Sequence, residues 1–158
     1  MTTTAPNVVL RALERNEQER MSRLFFRLSP ETIYRRFLTY YSDPTPLRPL
    51  LDVDGNRRAA IVAVDAMGEI VGVARYSRLR DDDGTAEIAV VVQDDAQRRG
   101  IGVALVTELA RQARRAGVRR FTGTMLSENE ACARLLRRAL PGVVLTAYQG
   151  ETTLLAQL

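Results

Sequence analysis

The chain has 158 residues, enough for one domain with a substantial hydrophobic core. Its 46% hydrophobic and 27% charged residues are typical of a globular protein, and its formal net charge is +4. One cysteine and no histidine exclude a disulfide framework, a Cys/His metal cluster and a catalytic triad built on histidine.

All 23 basic residues are arginines, and they are spread along the chain. Acidic runs at 81–83 and 94–95 interrupt them, which argues against a nucleic-acid surface. Residues 1–6 lack the basic and apolar regions of a secretory signal, and the longest apolar run, 59–64, is too short to span a membrane. We therefore expect a cytoplasmic protein without a membrane partner.

The first third of the chain predicts a strand and two helices. The strand is expected at Asn7–Leu13. The first helix, Glu14–Leu28, has apolar residues at helical spacing: Met21, Leu24, Phe25 and Leu28. Ser29 and Pro30 are typical of the N-cap and first residue of the second helix, and the prolines of Ser42–Pro49 predict a loop.

The remaining elements alternate between strands and helices. An antiparallel meander of three strands is expected at Arg58–Asp65, Ile70–Ser77 and Thr85–Val92, with its second turn at Asp81–Gly84. The later elements are a helix at Ile101–Ala116, a strand at Arg119–Leu126, a helix from the capping box Ser127/Glu130 to about Ala139, and a hairpin of Val143–Tyr148 with Thr152–Leu158. The strand-helix-strand step from 85 to 126 predicts a parallel crossover, so we expect one α/β domain over 1–158 with a mixed sheet.

The step from the third meander strand into the long helix has the pattern of an anion-binding loop. Free N–H groups at a helix N-terminus attract anions, and Gly100 and Gly102 allow close approach to a phosphate. Arg98 and Arg99 add positive charge. The segment is not a dinucleotide fingerprint, because Leu105 occupies the third glycine position, and it has no P-loop lysine. A plain turn with solvated arginines stays open as the alternative.

This loop reads Gln97-Arg98-Arg99-Gly100-Ile101-Gly102 and resembles the Q/R-x-x-G-x-G/A acetyl-CoA signature of the GNAT acetyltransferase superfamily. The resemblance covers nearly the whole chain. It implies the GNAT fold, a mixed and mostly antiparallel sheet of about seven strands with about four helices. It also implies an acetyl-CoA-dependent N-acetyltransferase that uses no metal and acts by direct attack in a ternary complex.

The resemblance assigns the cosubstrate to two segments. The loop backbone would hold the pyrophosphate, and the pantetheine arm would pair with the preceding strand, which must splay from its parallel neighbour. Asn129 would lie near the thiol, although an ordinary helix-start asparagine is the alternative. The residues so assigned are Val90, Val91, Val92, Gln97, Arg98, Arg99, Gly100, Ile101, Gly102, Val103 and Asn129.

Glu87 is the candidate general base, because its strand context resembles that of the glutamate base in many GNAT enzymes. An amine with a pKa of about 10.4 must lose a proton before it attacks a thioester. A solvated strand glutamate is the alternative. Leu136 occupies the position where many relatives have a tyrosine acid, so a tyrosine from elsewhere (Tyr40, Tyr41 or Tyr148) or no side-chain acid would serve. Cys132 is expected to be a small buried hydrophobe.

The acceptor is expected to carry a primary amine. The segment Phe25–Phe37 resembles the corresponding stretch of bacterial protein lysine acetyltransferases, which favours a protein lysine over a small amine. The family also implies a possible homodimer through the C-terminal hairpin. The alternatives are a non-catalytic acyl-CoA sensor and an arginine-rich nucleic-acid binder, which would show steep salt dependence.

Overall fold

The computed structural model describes residues 3–5, 7–37 and 45–158, with side chains for 7–37 and 48–158. No helix in these ranges has the length and apolar character needed to cross a membrane. The α-helices are α1 (Gln18–Arg27), α2 (Pro30–Phe37), α3 (Ile101–Arg115) and α4 (Glu130–Ala139). The strands are β1 (Thr3–Ala5), β2 (Val8–Ala12), β3 (Arg58–Val64), β4 (Ile70–Leu79), β5 (Asp82–Val92), β6 (Arg120–Leu126), β7 (Val144–Tyr148) and β8 (Glu151–Gln157).

The strands form one mixed sheet in the order β1-β2-β3-β4-β5-β6-β8-β7. Its pairs are antiparallel except β5 with β6. The predicted fold class is therefore confirmed, with the parallel crossover where the strand-helix-strand step indicates it. The described sheet has one strand beyond the expected seven, the three-residue β1.

The parallel pair β5–β6 separates soon after it begins. Its register covers only 85–87 against 120–122. Beyond that point β5 continues along β4 as far as Val92, and β6 continues along β8 as far as Leu126. A Cβ at Gly123 would lie 3.1 Å from the Ile88 carbonyl oxygen, so a larger residue would crowd the point where the strands part. The predicted splay is confirmed, and we call the opening the β5–β6 gap.

Two hydrophobic layers cover the sheet, one on each face. On one face α3 packs through Leu105 and Leu109, both fully buried. On the other face α1 and α2 contribute Leu24, Phe25 and Ile33. Burying these side chains drives the fold, at about 25 cal/mol per Å² of apolar surface removed from water.

Several boundaries differ from those expected from the sequence, among them the start of α1, which is Gln18 and not Glu14. The Ser127 hydroxyl hydrogen-bonds Thr152 Oγ1 at 2.8 Å instead of capping α4, and Asn129 is the N-cap, with its side chain accepting from Cys132 N. The capping-box prediction is therefore wrong. The expected turn Asp81–Gly84 is shorter, because β5 begins at Asp82. The described part of the expected loop Ser42–Pro49 lies in a 3₁₀ helix, Thr45–Leu51.

A buried carboxylate, Glu17, fixes the start of α1. Its side chain accepts hydrogen bonds from Arg11 Nη1 at 2.9 Å, Glu14 N at 2.8 Å and Arg20 Nη1 at 3.2 Å. The Arg11 hydrogen bond is the main cause that lowers the pKa of Glu17 to about 2. These charge-assisted bonds offset the cost of burying the carboxylate.

We expect Glu17→Gln to lower the free energy of unfolding by about 2 kcal/mol at pH 7, because charged hydrogen bonds are lost. The folded-state pKa is about 2, against 4.5 for the unfolded chain, so this stabilisation is complete above pH 4.5 and is lost as the pH falls towards 2. Urea unfolding at pH 7 and pH 3 measures the difference, which should shrink at pH 3. Glu19→Gln is the control, since that side chain is 94% exposed. A deficit independent of pH would contradict this account.

Candidate active site

A cleft of about 530 Å³ passes through the β5–β6 gap. Both faces of β5 line it, since alternate residues of a strand point to opposite faces and every residue from Ile88 to Val92 takes part. Thr124 and Met125 of β6 form the opposite wall. Because each strand has a partner on only one side here, backbone groups facing the gap can pair with an extended ligand.

The loop before α3 closes one end of the cleft. Arg98 and Gly100 both have left-handed backbone conformations, with φ of 65° and 79°. Successive N–H groups in such a turn can converge on an anion. The first intrahelical bond is from Ala104 N to the Gly100 carbonyl, so the N–H groups of residues 101–103 have no intrahelical acceptor. The macrodipole of the 15-residue α3 adds positive potential at this end.

The described cleft lining is strongly positive. It contains no carboxylate and five guanidinium groups, those of Arg35, Arg36, Arg98, Arg134 and Arg138. Only Arg98 belongs to the sequence motif. Arg134 and Arg138 are one turn apart on α4, and this i, i+4 spacing after Asn129 could have identified them. The arrangement suits a ligand with several phosphate groups.

Of the residues assigned to acetyl-CoA by resemblance, all but Arg99 and Ile101 line the cleft. Ile101 is in the core, 1% exposed. Gln97 donates from Nε2 to the Val92 carbonyl oxygen at 2.9 Å, so its side chain braces the loop against β5. Asn129 lines the cleft and also caps α4. The roles of these residues in binding stay predictions.

Glu87 lies at the closed end of the gap, opposite Ser77 on β4 and Thr122 on β6. Its side chain is exposed and does not line the cleft. It interacts electrostatically with two arginines, Arg36 on α2 and Arg75 on β4. Through Arg36, which does line the cleft, the carboxylate neighbours the end of the cleft opposite the loop before α3.

A single carboxylate, Asp94, attaches α2 to the segment between β5 and the loop. It accepts hydrogen bonds from Ser29 N at 2.9 Å, Ser29 Oγ at 2.8 Å and Thr32 Oγ1 at 2.9 Å. Desolvation acts to raise its pKa, but these bonds lower it overall. The predicted cap is also present, with Thr32 N donating to Ser29 Oγ at 3.1 Å. Sequence patterns could not find Asp94, because its partners lie 62–65 residues away.

Two α4 side chains in the cleft lining, Leu136 and Cys132, differ in their chemistry, and Cys132 is half-buried where the sequence predicted a buried hydrophobe. Leu136 is 1% exposed and lines the cleft, so the position of the usual tyrosine is apolar. Cys132 also lines the cleft, and burial raises the pKa of its thiol to about 11. Tyr148 is 74% exposed and is not part of the lining. Tyr40 and Tyr41 lie outside the described residues.

We expect Gly100→Ala to weaken acetyl-CoA binding and to lower the unfolding free energy by about 1 kcal/mol, because a Cβ is strained at φ 79°. Gly55→Ala is the matched control. Gly55 has φ 76°, and like Gly100 it has no heavy atom within 4 Å of an added Cβ, so it carries the same strain outside the cleft. Calorimetric titration with acetyl-CoA compares the two. Equal loss of affinity in both variants would show that strain alone, not the loop, is responsible.

The mixed sheet with a cleft between β5 and β6 is the architecture that the GNAT resemblance implies, and the comparison with protein families agrees. The Acetyltransferase (GNAT) family model matches residues 19–140. The chain therefore belongs to the GNAT acetyltransferase family.

Two acetyltransferases and one solved structure are similar to this chain over most of its length. It is 35% identical to acetyltransferase PA5475 of Pseudomonas aeruginosa, over 79% of this chain and 69% of that protein. It is 36% identical to acetyltransferase Pat of Mycolicibacterium smegmatis, over 70% of this chain but only 34% of Pat. The GNAT domain of S. lividans PAT superimposes with a TM-score of 0.86 at 26% identity, covering 96% of this chain and 90% of that one.

Among the described residues no group of three or more Cys, Asp or Glu side chains is arranged to hold a metal ion.

On the outermost strand β7, Val144 and Tyr148 are 59% and 74% exposed. A homodimer through the C-terminal hairpin stays a prediction.

Proposed function

We propose that the chain transfers an acetyl group from acetyl-CoA to a primary amine, with Glu87 as the general base. The observation that supports this most is the cleft through the sheet, which has strand edges along its length and an anion-binding loop at one end. Bound acetyl-CoA would supply an activated thioester. No described residue offers a better-placed carboxylate at the far end of the gap.

The residues present fit acetyl-CoA by three criteria. The gap offers unpaired strand edges to an extended amide-containing arm. The N–H groups of residues 101–103 and the side chain of Arg98 offer donors to a pyrophosphate. Arg134 and Arg138 add two cations on α4 for further phosphate oxygens.

In this proposal Glu87 accepts a proton from the ammonium of the acceptor, directly or through water, so that a free amine reaches the thioester carbonyl. The new C–N bond forms as the C–S bond breaks, the thiolate leaves, and the nitrogen loses its second proton to solvent to give the amide. Leu136 cannot donate a proton, so solvent protonates the thiolate, which is a tolerable leaving group without an acid.

For the acceptor we favour a protein lysine over a small amine, because the segment 25–37 resembles that of bacterial protein lysine acetyltransferases. Part of this segment, α2, supplies Thr32, Arg35 and Arg36 to the cleft lining. The acceptor would enter from the face of the sheet that α2 covers.

The test combines a thermal shift with acetyl-CoA and a thiol-release assay over a panel of amines and lysine peptides. A raised melting temperature with amine-dependent thiol release supports the proposal. Stabilisation without release for any amine would favour the non-catalytic acyl-CoA sensor. No stabilisation at all would overturn the assignment of the loop.

Direct attack predicts that no acetyl-enzyme forms. With the pKa of Cys132 at about 11, on the order of one thiol in 10⁴ is ionised at pH 7. The chain has no lysine, so an acetyl group on a side chain would have few other places to reside. Intact mass after incubation with acetyl-CoA alone is expected to show no acetylated side chain. Stoichiometric acetylation mapped to Cys132 would replace this mechanism with a covalent one.

A further inference from the structure

A pair of arginines beside Glu87 has no role in the proposed mechanism. In an antiparallel pair, directly opposite residues point to the same face of the sheet, and Arg75 lies opposite Ala89 as Ser77 lies opposite Glu87. Arg75 and Glu87 are therefore diagonal neighbours on the face covered by α2, within reach of long side chains. Arg36 belongs to α2, which covers this face of the sheet, and it interacts electrostatically with both Arg75 and Glu87.

Arg75 is a half-buried cation whose hydrogen-bonding capacity is not fully used. Its Nε is buried, and it is the one buried side-chain nitrogen or oxygen without a partner among the described residues. Burial lowers its pKa, and the positive charge of Arg58 lowers it further. Asp52, whose charge acts on Arg75 more strongly than that of Glu87, is already paired with Arg58 at 3.2 Å.

Arg36 is also left without a carboxylate in contact. Burial, and then the charge of Arg75, lower its pKa to about 10. Its guanidinium lies over the Phe37 ring at 4.6 Å, which is favourable packing but supplies no anion. Within the described ranges neither Arg36 nor Arg75 has a carboxylate oxygen within 4.0 Å.

Arg36 and Arg75 therefore lie in a partly desolvated site, and within the described ranges neither has a carboxylate in contact. An unpaired buried donor is costly, so it is uncommon unless a ligand satisfies it. The phosphates of the cosubstrate do not reach it in the proposed arrangement. Three residues of strand, on the order of 10 Å, separate Ala89 from Val92, and the phosphate loop lies beyond Val92.

We propose that Arg75, supported by Arg36, binds a carboxylate that the acceptor carries close to its reacting amine. This inference rests on the proposed function, since it places the amine at Glu87 and the carboxylate at Arg75. The shared chemistry is an amine with a neighbouring carboxylate. It is found in a free α-amino acid, and also in a protein lysine next to an aspartate or glutamate.

The experiment compares matched acceptors on wild type and Arg75→Gln. One arm uses α-amino acids against their carboxamides, and the other uses lysine peptides with aspartate or asparagine beside the lysine. Wild type should prefer the carboxylate member in one of the arms by about 10- to 100-fold in kcat/KM, and Arg75→Gln should lose that preference. The arm that responds identifies the source. Absence of preference in both arms, or a preference that survives Arg75→Gln, would overturn the inference.

Two further measurements keep the result interpretable. Arg75→Met should not lower the melting temperature, because it removes a half-buried charge that has no hydrogen-bond or ion-pair partner among the described residues. If Arg75 had a purely structural role, the same substitution would lower the melting temperature. If no acceptor is turned over, the affinities of N-acetyl amino acids and of their carboxamides, measured in the presence of CoA, test whether Arg75 binds a carboxylate. Tighter binding of the carboxylates to wild type but not to Arg75→Gln would support the site even if the proposed catalysis failed, and equal binding would reject it.

Discussion

Glu87→Gln is expected to lower kcat by about 100-fold or more at pH 7, because glutamine cannot accept the proton of the acceptor ammonium. Affinity for acetyl-CoA should be unchanged, since Glu87 does not line the cleft. The rate of the variant should rise with pH towards the pKa of the free amine, about 10.4 for lysine, because the base is then no longer needed. Steady-state kinetics from pH 7 to pH 10, with calorimetry for acetyl-CoA, measure both effects.

Glu151→Gln is the matched control, an exposed strand glutamate that is not part of the cleft lining. It should retain wild-type kinetics. A Glu87→Gln variant with a normal kcat would assign the proton transfer to another group. A parallel loss of acetyl-CoA affinity would mean that the substitution disturbs the cleft itself.

The double variant Arg98→Gln/Arg138→Gln is expected to weaken acetyl-CoA binding by about 100-fold or more. Each charge-assisted contact to a phosphate contributes about 1.5–3 kcal/mol, and both arginines line the cleft, Arg98 from the loop and Arg138 from α4. At saturating acetyl-CoA, kcat should change little, because neither residue is near Glu87. Titration calorimetry and the KM for acetyl-CoA measure the loss.

The control double variant is Arg115→Gln/Arg137→Gln, which removes the same charge from exposed positions outside the cleft. Arg137 is the sequence neighbour of Arg138. Comparing the two double variants therefore separates the effect of a local contact from that of the net charge of the protein. An equal loss of acetyl-CoA affinity in both double variants would mean that the arginines act only through long-range electrostatic attraction. The affinity would then fall as the salt concentration rises.

The parts of the site that depend on local sequence could be predicted. The loop Gln97–Val103 and the strand before it are continuous in the chain, and their conformation follows from glycine and from helix-start chemistry. The strand-helix-strand order was enough to predict the parallel crossover. The splay was predicted from the strand pairing that the resemblance to the GNAT family implies, and the short β5–β6 register confirms it.

The parts that depend on distant pairing could not be predicted. Arg36 interacts electrostatically with Arg75 and Glu87 because of where α2 lies on the sheet, and no spacing in the sequence encodes that position. The capping-box prediction failed for a related reason. The hydroxyl of Ser127 bonds to Thr152, 25 residues further along, and a local motif does not show a competing partner at that separation.

The β5–β6 gap also leaves the middle of the sheet weakly joined. A sheet interrupted in the middle is joined across the break by three register pairs and by packing of the helices. On the proposed function, an added strand from acetyl-CoA bridges the break. A ligand at about 100 times its Kd adds about 2.7 kcal/mol to the folded state. The protein without this ligand would then open more readily at the gap, and limited proteolysis should cut it faster than the bound form.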